Sequence, residues 1–400
     1  MSFLPYGRQT IDEDDIAAVL AVLRSDFLTC GPQVDAFERE FAAMVGAKHA
    51  VAVCNATAAL HLAMLAAGIG SGDRVVTSPN TFLASANCAA FVGAIPDFAD
   101  IDTVSYNLDP FSLETYWKPD TKAVVAVDYA GQPADLPAIA QVARKRGALV
   151  IEDACHGAGG SFIHDDKNWK LGGHPWADIT VFSFHPVKTM TTGEGGMFVT
   201  NDEEFARRAR LLRTHGMERD QSRFVGCDSS RCTQLSEVGP WSYEMQQLGY
   251  NYRITELQCA LGRSQLKKIP VFMKRRQEIV TKYNKALDRI AHVKIPAIRG
   301  EADLFPLTSW HLYTLQLDFP GLGKTRTQFM TALREKGIGS QVLYIPVYLQ
   351  PWYRQTYGYA PGKCPNAESF YAQALSLPLY PAMTDGDVDR VINSVCCELD

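Results

Sequence analysis

The stretch Val181-Phe182-Ser183-Phe184-His185-Pro186-Val187-Lys188-Thr189-Met190-Thr191-Thr192-Gly193-Glu194-Gly195-Gly196 decides how the rest of this chain is read. It begins as a short apolar strand and delivers one lysine into a loop of small and hydroxylated residues. A glycine-flanked acid follows, then a second strand, Met197 to Thr200. Upstream, the buried-looking run Ala148-Leu149-Val150-Ile151 ends in Glu152-Asp153. A lysine and an aspartate therefore stand at the ends of two strands that a sheet would bring together.

Working outward, the first two thirds of the chain alternate short apolar runs with amphipathic ones. Thr10 is placed to cap a helix whose first turn carries Asp12, Glu13, Asp14 and Asp15, with Ile11, Ile16, Val19, Leu20 and Leu23 as its buried face. Pro32 opens a second helix that ends at Gly46. Strands are expected over 50–53, 74–77, 123–127 and 149–151, with helices over 57–67, 81–92 and 136–146. This alternation predicts an α/β fold with a mostly parallel central sheet covered on both faces.

After Asp202 the pattern changes. A helix over 203–212 leads into a polar insert at about 218–239, then helices over 253–266 and about 271–290. Beyond Pro296 come a strand at 313–317, a helix at 325–336, a strand at 340–343 and two C-terminal helices. The expected division is a large α/β domain over 1–265, then a linking helix and a smaller α+β C-terminal domain over 266–400.

Composition excludes several classes. Apolar residues make up 46% and charged residues 21% of 400, enough for a large core and too apolar for disorder. The net charge of −5 and the absence of a basic tract longer than Lys274-Arg275-Arg276 argue against a nucleic-acid surface. No uncharged apolar run approaches the roughly 20 residues that span a bilayer. The N-terminus lacks the charged start and apolar run of a signal peptide. The ten cysteines are scattered with no metal-spaced Cys-x-x-Cys, so no metal is expected and a reduced, cytoplasmic setting is the simplest reading. Cys227 and Cys232, in the polar insert, are the one candidate redox pair.

Ligands of open parallel sheets bind at the carboxyl ends of the strands, where helix N-termini also point. Cys54-Asn55-Ala56-Thr57 opens a helix there, and its backbone N–H groups and the Thr57 hydroxyl suit either a phosphate or a helix cap. Phe82 could stack on a flat heterocycle or simply pack in the core. Asp153 needs a partner to be tolerated at the end of an apolar strand, and a protonated ring nitrogen would be one. Lys188, if buried, would lose its proton readily, as covalent attachment to a carbonyl requires. A lysine and a carboxylate in this relation are the two groups that pyridoxal 5'-phosphate needs from a protein. No Gly-x-Gly-x-x-Gly follows Val53, which argues against a dinucleotide-binding oxidoreductase.

The segments Ile151–His156, Ser183–Lys188 and Gly193–Gly196, with Leu28–Pro32, Asn80–Phe82 and Gly249–Thr255, together resemble the sugar aminotransferases of the DegT/DnrJ/EryC1/StrS family. The match runs through nearly the whole chain in the family's order. The resemblance implies a fold-type I PLP-dependent transferase, a transaminase, working as a homodimer with shared active sites. It implies that Lys188 carries the cofactor and moves the proton, and that Asp153 pairs with the pyridinium nitrogen. Phe82 would lie against the ring, and Ala56, Thr57 and Ser183 would hold the phosphate. Asn251 would reach that phosphate from the other subunit. His156 stands where many members carry glutamine near the phenolic oxygen, a departure from the family pattern.

Within the family, Asn55-Ala56-Thr57, Phe184–Lys188 and Trp241–Met245 are most similar to members that form UDP-4-amino-4,6-dideoxy-N-acetyl-β-L-altrosamine in pseudaminic acid biosynthesis. The implied substrates are L-glutamate and a UDP-linked 4-keto-6-deoxy-N-acetylhexosamine. An acceptor of the perosamine or bacillosamine type is the alternative. Tyr6, the segment Asp26-Phe27-Leu28-Thr29 and the loop Tyr344-Ile345-Pro346-Val347 would contact the nucleotide sugar. A non-catalytic relative on the same fold would be expected to lack Lys188, which is present.

Overall fold

The computed structural model describes residues 2–225, 239–298, 305 and 307–399. Its strands in chain order are β1 (His49–Val53), β2 (Arg74–Thr77), β3 (Ile95–Phe98), β4 (Thr121–Val127), β5 (Leu149–Asp153), the hairpin β6 (Ser161–His164) and β7 (Lys167–Lys170), β8 (Ile179–Ser183) and β9 (Gly196–Thr200). The short pair β10 (Met217–Glu218) and β11 (Glu244–Met245) brackets the polar insert, and β12 (Val293–Lys294), β13 (Tyr313–Leu317) and β14 (Ala374–Leu377) lie beyond it. Cys227 and Cys232 lie outside the described residues.

The central sheet has seven strands in the order β1-β9-β8-β5-β4-β2-β3. Pairing is parallel from β3 through β8, and β9 runs antiparallel to both β8 and β1. The expected α/β architecture is therefore present. β5 and β8 are direct neighbours, with Asp153 opposite Val181, which brings the acid and the lysine loop to the same end of the sheet.

Local sequence explains how β8 is aimed. Successive side chains of a strand face opposite ways. Phe182 and Phe184 point to one side and meet Phe37 and Phe41 of the helix Pro32–Val45 at centroid distances of 5.0–5.4 Å. All four rings are fully buried, each worth roughly 1.5–3 kcal/mol over exposure. Ser183 is thereby turned to the opposite face. That helix starts on Pro32 and stops at Gly46, whose φ of +84° favours glycine.

A second core surrounds the 19-residue helix Ile269–Leu287, whose Ile279, Val280, Tyr283 and Leu287 pack on the antiparallel sheet β12-β13-β14 and on Phe329, Leu333, Val388 and Val391. Leu4 joins this core, and its backbone bonds to Gly337 and Gly339. We propose 1–265 and 266–400 as the two domains, with the N-terminal strand-like segment fastened across to the second.

The structure corrects four expectations. Asp12, not Thr10, caps the first helix, Glu13–Leu23, through a capping box with Asp15. Its apolar face is not covered within the protomer: Ile11, Ile16, Leu20 and Leu23 are exposed by 42–54%. Ser340–Leu343 is no strand either, because only Gln341 bridges to Ser376 before the chain turns away. The C-terminal region holds three helices, Pro351–Tyr357, Pro365–Gln373 and Asp385–Leu399, rather than two. No helix among the described residues is long and apolar enough to cross a membrane.

Candidate active site

At the carboxyl ends of the parallel strands lies a cavity of about 470 Å³, within the usual range for a small-molecule site. Nine residues singled out from sequence line it: Tyr6, Ala56, Thr57, Phe82, Asp153, His156, Ser183, Lys188 and Tyr344. They come from six separate stretches of chain.

Asn55 caps the helix Ala56–Ala66 by accepting the Ala58 N–H at 2.8 Å. The Ala56 and Thr57 N–H groups, in the first turn, have no intrahelical acceptor, and both residues line the cavity at the positive end of the helix dipole. Gly196 lets this turn sit close to the sheet, since a Cβ there would meet Ala56 N at 2.6 Å. Two hydroxyls, Thr57 and Ser183, line the same cavity.

Asp153 is 4% exposed and held at both oxygens. Its Oδ2 accepts the Ser85 hydroxyl at 2.6 Å, and its Oδ1 accepts the Cys155 N–H at 3.2 Å. Ser85 in turn pairs with the Thr81 hydroxyl at 2.7 Å. Sequence reasoning missed Ser85 because it sits in a helix of small residues, Ala84–Phe91, with no polar stripe to mark it. That helix begins three residues later than expected, as Thr81 and Phe82 stay in the preceding turn.

Lys188 reaches into the cavity from the loop after β8. Burial lowers its pKa, an effect partly opposed by neighbouring Cys155 and Asp153. An enclosed amine of this kind is a ready nucleophile. Burial, assisted by Lys188, also holds His156 well below the usual imidazole range, so its ring is neutral. His156 Nδ1 accepts the Ala130 N–H at 3.2 Å, which leaves the proton on Nε2 to donate to the Tyr344 hydroxyl, also 3.2 Å away. Burial raises Tyr344 well above the usual phenol range, so that hydroxyl keeps its own proton. Ser309 fixes the other end of His156, donating to its carbonyl at 2.6 Å. Gly131 makes room for this contact, as a Cβ there would lie 2.2 Å from Ser309 Oγ.

The other sequence candidates lie elsewhere. Asp26, Phe27, Leu28 and Thr29 are exposed outside the cavity of their own protomer. Ile345 is 44% exposed, Pro346 is buried, and Val347 is fully buried among Phe98, Tyr348 and Tyr353 with its N–H on the Pro79 carbonyl. Val347 thus has no surface to offer a ligand and instead anchors the loop carrying Tyr344. Asn251 is exposed, bridged to Thr214, and does not face the cavity of its own protomer. Leu343, Val187 and Glu194 line the cavity without having been foreseen as ligand contacts. Among the described residues no group of three or more His, Cys, Asp and Glu could hold a metal.

Comparison with known proteins decides the family. The model of the DegT/DnrJ/EryC1/StrS aminotransferase family matches residues 9–396. The chain belongs to this family. It is 43% identical over 394 residues to the spore coat polysaccharide biosynthesis protein SpsC of Bacillus subtilis, covering 98% of this chain and 96% of that one. It superposes on Helicobacter pylori PseC, an aminotransferase of pseudaminic acid biosynthesis, with a TM-score of 0.86 at 31% identity, covering 100% and 99% of the two chains. Streptococcus pneumoniae Spr1654 in its PMP form gives a TM-score of 0.87 at 27% identity, covering 99% of each chain. Membership makes the chain a PLP-dependent sugar aminotransferase of fold-type I, acting on a nucleotide-linked keto sugar and an amino donor.

The cavity's own chemistry suits pyridoxal phosphate. It combines an enclosed amine, a carboxylate with fixed orientation, an aromatic face at Phe82, and a helix N-terminus with two hydroxyls for a phosphate. These are the donor types the cofactor requires.

Proposed function

We propose that this enzyme moves the amino group of L-glutamate to the carbon-4 ketone of a UDP-linked 4-keto-6-deoxy-N-acetylhexosamine. The product would be UDP-4-amino-4,6-dideoxy-N-acetyl-β-L-altrosamine, a precursor of pseudaminic acid. The reading is carried by the gathering of Lys188, Asp153, Thr57, Ser183 and Phe82 around one cavity, together with the likeness to PseC over the full chain.

Bound pyridoxal phosphate supplies an electron sink that lets a C–H bond next to nitrogen release its proton. The chain's residues do the rest. Ala56, Thr57 and Ser183 hold the phosphate, Phe82 covers one ring face, and Asp153 keeps the ring nitrogen protonated. Each pKa unit that Asp153 adds to that nitrogen is worth about 1.4 kcal/mol. Lys188 Nζ, kept free of its proton by burial, takes the α-proton of the donor in one half of the cycle. In the other half it returns a proton to carbon 4 of the sugar. Tyr6 and Tyr344 line the cavity and turn hydroxyl donors toward the acceptor, while the neutral His156 steadies Tyr344 by donating its Nε2–H to that hydroxyl. Asp26 to Thr29 and Ile345 to Pro346 extend the site for the nucleotide.

A homodimer completes this reading. The first helix exposes Ile16, Leu20 and Leu23, continuous in sequence with exposed Phe27 and Leu28, and Trp241, Tyr243, Met245 and Leu248 are exposed just before Asn251. Patches of this size on a protomer suit burial against a second copy, which would carry Asn251 to the partner's phosphate site. The buried free thiols of Cys88, Cys259 and Cys364 suit a cytoplasmic enzyme.

A second reading, an aminotransferase for another nucleotide-linked 4-keto sugar, is favoured by the higher identity to SpsC, at 43%, than to PseC, at 31%. Rates with L-glutamate across UDP-, GDP- and dTDP-linked 4-keto sugars test both. The first reading expects preference for the UDP-linked N-acetylated sugar, and a better GDP- or dTDP-linked acceptor would overturn it.

A further inference from the structure

Behind Asp153, on the far face of β5, lie two more carboxyl groups that the reaction does not use. Asp128 and Glu152 are both 0% exposed. Glu152 Oε2 accepts three hydrogen bonds, from the Gly172 N–H at 3.1 Å, the Thr180 hydroxyl at 2.7 Å and His174 Nε2 at 3.1 Å. The His174 tautomer follows from its other nitrogen, Nδ1, which accepts the Trp176 N–H. Asp128 Oδ1 accepts the Ala134 N–H at 2.8 Å. The remaining oxygens, Asp128 Oδ2 and Glu152 Oε1, are buried with no other partner among the described residues, and the two side chains are within hydrogen-bonding reach of each other.

Two acceptor-only carboxylates cannot satisfy one another, and a buried unpaired oxygen is costly. One proton between them satisfies both. Its owner is decided by the surroundings. Three donors already converge on Glu152, whereas Asp128 has a single backbone N–H and faces the Glu152 charge. Burial and that charge push Asp128 well above the usual carboxyl range. For Glu152, burial acts upward but is outweighed by His174, Thr180 and Asp128.

We propose that Asp128 is a proton-bearing aspartic acid whose Oδ2–H donates to Glu152 Oε1, forming a buried clamp that positions Asp153. The link to Asp153 is short. Glu152 is its chain neighbour, and the Asp128 N–H bonds the Asp153 carbonyl at 3.1 Å, joining the ends of β4 and β5 just where Asp153 leaves the sheet. Because the pair carries one charge rather than two, Asp153 stays the acid facing the cavity without a second bare carboxylate at its back. Asp128 is a positioning residue, and that half of the proposal rests on Asp153 meeting the cofactor's ring nitrogen.

The test has two arms. Infrared difference spectra of the holoenzyme at neutral pH, wild type minus Asp128→Asn, should show a protonated carboxyl C=O band; its absence overturns the shared proton whatever the substrate. Asn keeps a donor toward Glu152, so D128N should hold pyridoxal phosphate within about twofold of wild type. D128L, of similar size but without a donor, should lose about tenfold in affinity and shift the absorbance of the bound cofactor, the loss expected when one buried hydrogen bond is removed. Equal losses in D128N and D128L, or unchanged affinity and spectrum in D128L, would overturn the clamp. If D128L fails to fold, D128N and its infrared band still decide.

Discussion

Ser85→Ala tests how Asp153 is held. In the native arrangement a hydroxyl 1% exposed donates at 2.6 Å to a carboxylate 4% exposed, with the Thr81 hydroxyl stacked behind it at 2.7 Å. A hydrogen bond to a charged group in such surroundings contributes roughly 1.5–3 kcal/mol. Asp153 would keep the Cys155 N–H, but at 3.2 Å that is the longer contact, so the carboxylate gains freedom to rotate away from the cavity. The substitution should therefore weaken cofactor binding by about tenfold to a hundredfold, following roughly 1.4 kcal/mol per factor of ten. Fluorescence titration of cofactor-free protein with pyridoxal phosphate measures this directly. A double-mutant cycle with Asp153→Ala isolates the pair, and the coupling should fall near 1.5–3 kcal/mol. Additive effects, with coupling under about 0.5 kcal/mol, would show that Ser85 does not act through Asp153.

Other outcomes follow from the same structure. Burial holds His156 and His311 well below their ordinary pKa of 6.5. Below that pH the unfolded chain binds protons that the folded one excludes, so stability is full above about pH 6.5 and declines as pH falls toward the folded values, by up to about 1.4 kcal/mol per unit for each ring. Melting temperatures of cofactor-free protein at several pH values should show this decline, and His311→Gln should make it shallower; an unaltered slope would count against the assignment. Leu20→Glu, on the exposed apolar face of the first helix, should shift the sedimentation profile from dimer to monomer, and wild-type protein that sediments as a monomer would remove the dimer reading. His156→Gln should leave the fold intact yet alter the visible absorbance of the bound cofactor, because the donor to Tyr344 changes; an identical spectrum would place His156 away from the ring.

Much of this arrangement was legible in the residues. Apolar runs such as Ala50–Val53 and Leu149–Ile151 are readable as buried parallel strands because both faces of such strands are covered. Lys188 and Asp153 stood out as charges attached to those strands. The first helix misled for a physical reason: periodicity shows that a face must be covered, not whether this chain or a second copy covers it. Ile16 and Leu20 are apolar at helical spacing and remain exposed in the protomer. Ser85 and Asp128 were invisible because their roles arise from contacts across 68 residues for Ser85 with Asp153, and between strand ends for Asp128 with Glu152. Val347 looked like a loop contact beside Tyr344, yet an apolar side chain next to three tyrosine and phenylalanine rings was drawn into their core.

The measurement that bears most directly on the account is the site of covalent attachment. Holoenzyme reduced with borohydride and digested should yield a single pyridoxyl-phosphate adduct, on the peptide bearing Lys188, and Lys188→Ala should yield none and show no turnover. An adduct on a different lysine, or full turnover without Lys188, would contradict it.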